Sequence, residues 1–389
     1  MRSPLSKKII EVQPSGIRKF FDVAAEMEDV ISLGVGEPDF DTPWRIREEG
    51  IFSLEKGRTF YTSNAGLQEL RNEICNYLER KIHVRYDPKK ETMVTVGGSE
   101  AIDVALRCML DPGDEVLIPQ PSYVSYLPCT IMADGVPVIV ELKAENEFKL
   151  TVKDMEAVVT DKTKILVLPF PNNPTGSIMT REDLEPVAKF VEEHDLYVIS
   201  DEIYSELSYK GEHVSIASLP GMKERSIVIN GFSKGFAMTG WRLGYCCGPH
   251  GVLEQMIKLH QFAIMCAPTT SQYAAVEGLR SCEADVEEMR KAYNQRRRFL
   301  MHEFSRMGLE CFEPFGAFYV FPSIQEFGMT SEQFAERLLM EEKVAVVPGT
   351  AFGECGEGFL RISYAYSLED LKKALARLGH FVQRLRNER

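Results

Sequence analysis

Seven short apolar runs punctuate the middle of the chain: MVTV (93–96), EVLIP (115–119), VPVIVEL (136–142), KILVLPF (164–170), LYVIS (196–200), SIVIN (226–230) and LGYCCG (243–248). Runs this short, with so few polar interruptions, predict strands buried on both faces, as in a parallel sheet. Between several of them apolar residues fall at helical spacing, over 100–110, over 181–194 and in the segment after Asp201. Strand and helix alternating in this way predict an α/β fold, a mostly parallel sheet sandwiched by helices. A long amphipathic helix is expected over 284–307, because Val286, Met289, Tyr293, Leu300 and Phe304 share one face. Beyond it come CFEPFGAFYVFPS, a helix over 331–342, VAVVP, GFLRISYA and a last helix from Leu368. That order predicts a second, smaller α+β unit, which about the first 45 residues are expected to complete. No repeat or low-complexity tract breaks the order.

Composition narrows the class without choosing within it. At 389 residues, 44% hydrophobic and 26% charged, the chain has the make-up of a soluble globular protein with room for a large core. Its net charge is −13 and no basic run is long, so nucleic acid and anionic membrane are not expected partners. Nine cysteines without CxxC spacing fit a reduced, cytoplasmic protein better than a disulfide framework. No apolar stretch approaches the roughly 18 residues of a membrane span, and MRSPLSKKIIEV lacks the apolar core of a signal peptide. The histidines are scattered and form no HExxH pair, so no metal site is expected.

The candidate chemistry stands where predicted strands end. From Ile227 to Trp241 the only charged side chain is Lys234. It follows the run 226–230 through Gly231, Phe232 and Ser233, which puts its amine just past a strand's carboxyl end, where open α/β sheets place their ligands. Lost hydration there, with Arg242 nearby, disfavours the charged form and activates the amine for Schiff-base chemistry. An ordinary lysine is a solvated surface residue; the charge-poor surroundings weigh against that reading here. The run 93–96 opens into Gly97-Gly98-Ser99-Glu100 ahead of a helical stretch, which suits an anion-binding turn and equally a plain helix cap. The run 164–170 ends in PNNPTG (171–176), a rigid turn that holds Asn172 and Asn173 at the sheet edge. LYVIS leads into Asp201-Glu202-Ile203-Tyr204, where Asp201 also reads as the cap of a following helix. An amine, a carboxylate, a phenol and an amide at three successive strand ends are better explained by one site than by separate coincidences. Neither GxxxxGK[ST] nor GxGxxG follows a strand, so nucleotide-binding readings lose ground.

PNNPTG, SDEIY and SK-x5-GWRLGY together resemble the class I pyridoxal-phosphate-dependent aminotransferases. The resemblance extends through LGVGEPDF (33–40), YTSNAGLQELR (61–71), DPGDEVLIPQPSYVSY (111–126), GAFYVFP (316–322), VAVVPGTAFG (344–353) and LRISYA (360–365). It covers nearly the whole chain in the family's order, and is strongest toward aspartate, aromatic and alanine aminotransferases of bacteria and archaea. It implies the pyridoxal-phosphate-dependent transferase fold of type I: a seven-stranded sheet in a large domain over 46–282, with a small domain made of 1–45 and 283–389.

The resemblance also implies a role for each residue. Lys234 would form the Schiff base with pyridoxal phosphate and later move the proton at the substrate α-carbon. Asp201 would pair with the pyridine nitrogen, while Tyr204 and Asn173 would hydrogen-bond the phenolic oxygen. Tyr123 would stack on the ring. Gly98, Ser99 and Glu100 would cradle the phosphate, joined by Ser233 and Arg242. Tyr61 would reach the phosphate of a neighbouring subunit, making the enzyme a homodimer. Arg361 would clamp the substrate α-carboxylate with two parallel donors, helped by Asn173 and the backbone of Gly36. On its own residues Arg361 reads as an ordinary ion pair on a strand, and Gly36 as a turn glycine.

Four departures from the family pattern bear on the site. Tyr123 stands where many relatives carry Trp, and either ring stacks. Gly231, three before the lysine, replaces a phosphate-binding Ser, which removes one contact. Glu100 replaces Gln or Lys, and a carboxylate turned inward would repel the phosphate. No arginine is marked by its motif as a receptor for a substrate's distal carboxylate; Arg18, in SGIRKF (15–20), falls where relatives bring the first helix toward the substrate side chain, and reads equally as a solvated helix residue.

Amino transfer from an L-amino acid, aspartate or an aromatic one, to 2-oxoglutarate in a ping-pong cycle is the expected activity. A C–S β-lyase on the same fold is the alternative, since its cofactor residues are nearly the same. A cofactor-binding regulator would need a fused DNA-binding segment, for which motifs that begin by Leu33 leave no room. Small amino acids and 2-oxo acids are the expected partners.

Overall fold

The computed structural model describes residues 2–14 and 27–388; Arg18 lies outside the described residues. A two-residue strand, β1 (Ile31–Ser32), precedes the strands formed by the seven apolar runs. These are β2 (Thr92–Thr95), β3 (Glu115–Gln120), β4 (Val136–Glu141), β5 (Thr163–Leu168), β6 (Tyr197–Asp201), β7 (Ser226–Gly231) and β8 (Gly244–Cys247). They make one sheet in the order β2-β8-β7-β6-β5-β3-β4. Only β8 runs against its neighbours, antiparallel to both β2 and β7. The remaining pairings are parallel. The carboxyl ends of β2, β5, β6 and β7 therefore open on one side, where β8 begins.

Side chains alternate as the pleat requires. Ile165, Val167, Ile199, Ile227 and Ile229 pack on one face with the helices Gly97–Met109, Tyr126–Met132 and His250–Ala263. Leu117, Leu166, Leu168 and Val198 pack on the other with the helix Arg181–Glu193. Each such side chain, fully buried, stabilises the sheet by about 1.5–3 kcal/mol. Asp201 ends β6 in step with Ile199, so its carboxylate belongs to the face that carries the helix Gly97–Met109.

Helices form largely where periodicity predicts them. Thr180 and Asp183 close a reciprocal cap at the start of Arg181–Glu193. The helix Glu283–Met307 buries Val286, Met289, Tyr293, Leu300 and Phe304, and stops at Gly308 in the left-handed conformation. The segment after Asp201 corrects the expectation of a helix: only short 3-10 turns form, at Ser205–Leu207, Ile216–Ser218 and Lys223–Arg225. Its backbone is drawn elsewhere, Ser208 bridging to Gly316 and Tyr209 N–H donating to Phe315 O at 2.8 Å.

The later strands are β9 (Tyr319–Val320), β10 (Val344–Ala345), β11 (Val347–Pro348) and β12 (Leu360–Ser363). β11, β12 and β9 form an antiparallel sheet, and β1 pairs in parallel with β10, joining the two ends of the chain. From β1 the chain runs on beside this unit. Leu33 N–H donates to Ala345 O and Ser363 N–H to Leu33 O, each at 2.8 Å. That pairing leads residues 34–37 to the open side of the large sheet.

Candidate active site

A cavity of about 430 Å³ lies at those strand ends. It is lined by Gly36, Gly98, Ser99, Tyr123, Asn173, Asp201, Tyr204, Ser233, Lys234, Arg242 and Arg361. Of the residues to which the resemblance gives a cofactor or substrate role, Glu100 and Tyr61 stand outside its lining. Glu100 turns its carboxylate away, to the Val96 N–H and to His260 Nδ1, each at 2.5 Å. Tyr61 is 81% exposed on the surface.

Lys234 sits just past β7, and its Nζ donates to Gly36 O at 2.6 Å. Burial pushes the amine down from an ordinary 10.5 to about 8; Arg361 and Arg242 add to this, while Glu37 and Asp201 oppose it. Asp201 accepts from Tyr126 Oη at 2.7 Å and from Ile203 N–H at 3.2 Å. Burial nevertheless raises its carboxyl above the ordinary range, with Glu202 adding to the rise. The group is thus poised to gain from a cation placed against it. Burial and the neighbouring Tyr319 hold Tyr204 well above the ordinary phenol value, so it stays a proton donor. Its hydroxyl lies 2.9 Å from that of Tyr319.

The turn between β2 and its helix is shaped by close approach. Gly97 has φ +77°, and a Cβ there would lie 2.7 Å from Arg242 Nη2. Gly244, across from Thr95, would bring a Cβ within 2.6 Å of Gly97 C and 2.7 Å of Gly98 N. Only glycine lets this turn fold down over the start of β8. The first-turn N–H groups of the helix Gly97–Met109 then face the cavity beside Ser99 and the Arg242 guanidinium, an anion-binding arrangement. Gly231, which the sequence reading treats as a lost phosphate contact, pairs with Gly244 inside the sheet and does not line the cavity. A Cβ on it would meet Gly244 Cα at 3.0 Å.

Arg361 comes from β12 on the far side of the cavity. Its Nη1 donates to Asn173 Oδ1 at 3.0 Å and its Nη2 to Gly34 O. The guanidinium lies over two rings, Tyr319 at 4.6 Å and Phe352 at 4.8 Å. Its Nε is buried without a partner among the described residues, and no described carboxylate pairs with the group. A buried, uncompensated guanidinium facing a cavity is suited to a carboxylate ligand.

Sequence reasoning missed three contributors. Tyr126 supports Asp201, Tyr319 links Tyr204 to Arg361, and Thr239 hydrogen-bonds Glu37 at the cavity's rim. All lie inside quoted motifs or beside Lys234, but nothing in residue type separates them from the core aromatics and loop hydroxyls around them.

A family model described as aminotransferase class I and II matches residues 28–378. The chain is similar to a putative aminotransferase, YugH, of Bacillus subtilis, at 53% identity over 99% of this chain and all of that one. It is also similar to an aspartate aminotransferase of Pyrococcus abyssi, at 50% identity over 96% of this chain and 97% of that one. Among solved structures, an aromatic aminotransferase from Pyrococcus horikoshii superposes with a TM-score of 0.91 at 47% identity, covering 95% of this chain and 99% of that one.

Proposed function

The chain belongs to the class I and II aminotransferases, a pyridoxal-phosphate-dependent family, and from that premise we propose an amino transfer from aspartate or an aromatic L-amino acid to 2-oxoglutarate in a ping-pong cycle. The observation that carries the reading is the meeting of Lys234, Asp201 and the uncompensated Arg361 on one cavity. The residues present fit pyridoxal phosphate: an amine of lowered pKa for its aldehyde, a buried carboxylate for its ring nitrogen, and a glycine turn with an arginine for its phosphate. When bound, the cofactor supplies an electron sink for the α-carbon and a carrier for the amino group between half-reactions.

In this reading Lys234 holds the cofactor through Nζ and, once released, moves the proton at the substrate α-carbon. Asp201, steadied by Tyr126, keeps the ring nitrogen protonated. Tyr204 and Asn173 bind the phenolic oxygen, and Tyr123 lies against the ring. Gly98, Ser99, Ser233 and Arg242 hold the phosphate, with Glu100 contributing backbone only. Arg361 and Asn173, with the Gly36 backbone, bind and orient the substrate carboxylate. The names of the relatives favour transfer over the β-lyase alternative.

A homodimer completes the proposal. Phe60, Tyr61, Phe262, Ile264 and Met265 are exposed, and hydrogen bonds join their segments, Thr269 to Phe60 O and Asn64 to Met265 O. An apolar patch of this kind marks an association surface, and a second copy would receive Tyr61 there. The pairing of β1 with β10 supports a small domain of 1–45 and 283–389 beside a large one of 46–282. No described helix is long and apolar enough to cross a membrane. A cytoplasmic setting is part of the proposal, in keeping with nine free cysteines.

The test is the visible spectrum of the holoenzyme against single L-amino acids. Aspartate or an aromatic donor should shift the cofactor band, and 2-oxoglutarate should restore it. An unmoved band with pyruvate and ammonia accumulating would establish the lyase instead.

A further inference from the structure

Glu100 is an acid in the first turn of the helix whose amino end faces the cavity, an awkward place for negative charge if a phosphate dianion binds there. Its carboxylate is held by two partners. Oε2 accepts from the N–H of Val96, the residue just before the helix, and Oε1 meets His260 Nδ1. His260 is fully buried on the helix His250–Ala263, which packs beside the helix Gly97–Met109. Its Nε2 is buried without a partner among the described residues. Facing a carboxylate, Nδ1 carries the hydrogen.

We propose that His260 is a positioning residue for the cofactor's phosphate: by binding the Glu100 carboxylate it keeps that charge off the anion-binding turn and fixes Val96, Gly97 and Gly98 in the shape the phosphate requires. The proposal rests on the cofactor site described above and adds His260, which does not line the cavity. The Glu100 bond to Val96 N–H fixes the peptide that leads into the turn. The imidazole draws off part of the carboxylate's charge in a setting where little water screens it. Without the imidazole, a largely shielded carboxylate would lose one of its two partners and act unopposed on the turn that grips a dianion.

The cofactor is stripped from the holoenzyme and titrated back, as pyridoxal phosphate and separately as pyridoxal, with Kd read from protein fluorescence. His260→Leu should weaken pyridoxal phosphate tenfold or more and pyridoxal less than twofold. Adding Glu100→Gln to that variant should bring pyridoxal phosphate back to within about threefold of the parent, because the charge is gone. Glu100→Asp, too short to reach both partners, should repeat the phosphate-specific loss and serves if His260→Leu does not fold. Equal losses for both ligands, no loss for either, or no rescue by Glu100→Gln would overturn the proposal. A parent protein that shows no preference for the phosphorylated form would overturn the placement of the cradle itself.

Discussion

Lys234 makes one good hydrogen bond, to Gly36 O, and is otherwise an amine buried among Tyr204 and Phe318. Its value of about 8 against an ordinary 10.5 means that the unfolded chain binds more protons between those limits. Stability of the cofactor-free protein therefore rises with pH across that window, and the full penalty is present below about 8. At about 1.4 kcal/mol per unit the penalty is on the order of 3 kcal/mol. Lys234→Met should melt above the parent at pH 7 when both are stripped of cofactor, and the gap should close as pH rises from 8 toward 10; thermal unfolding across pH reads this directly. A constant gap would assign the gain to packing alone. This residue was legible in sequence because its neighbours lack charge. Arg361 was not legible on its own residues, because its meaning depends on Gly34, Asn173 and Phe352 arriving from three other segments. Tyr126 and Tyr319 looked like any aromatic in an apolar stretch.

Strands were the most legible elements, since burial on both faces leaves an apolar run that few other structures share; β4, at the sheet's edge, is the exception and stays half-exposed despite its apolar run. The long helix over 283–307 was legible by its face, though the same face also buries Arg297 and Glu303, which their charge alone assigns to solvent. The stretch after Asp201 failed because its backbone groups are satisfied by distant partners, which local spacing does not record. Between elements the decisive contact is backbone against backbone, where Gly244 at the start of β8 lies under the Gly97–Gly98 turn. Neither side has a flexible side chain to give way. Gly244→Ala should lift the turn, destabilise the fold by about 1–3 kcal/mol and weaken pyridoxal phosphate more than pyridoxal. Denaturant unfolding and cofactor titration measure the two effects separately; an unchanged affinity would show that the turn tolerates displacement.

Across the whole molecule, exposed aromatics gather where the cavity-bearing unit meets solvent, Phe60 and Tyr61 at 81% and Phe262 at 83% exposure. Phe262→Glu should put charge into the proposed contact, yield monomers by sedimentation and lower activity along with the dimer fraction. A monomeric variant of full activity would show that the site is complete within one chain. The order of the sheet carries a different lesson, about time rather than space. Among the described residues β2 lies at the edge of its sheet and has β8 as its sole strand neighbour. A ribosome delivers the phosphate-gripping turn after β2 early, then must make everything up to Gly244 before the turn has a surface to rest on. Until then a nascent chain can own the strands that carry Asn173, Asp201 and Lys234 yet lack the grip for the cofactor's anionic end. Tight binding of the cofactor is therefore expected only once synthesis has passed β8.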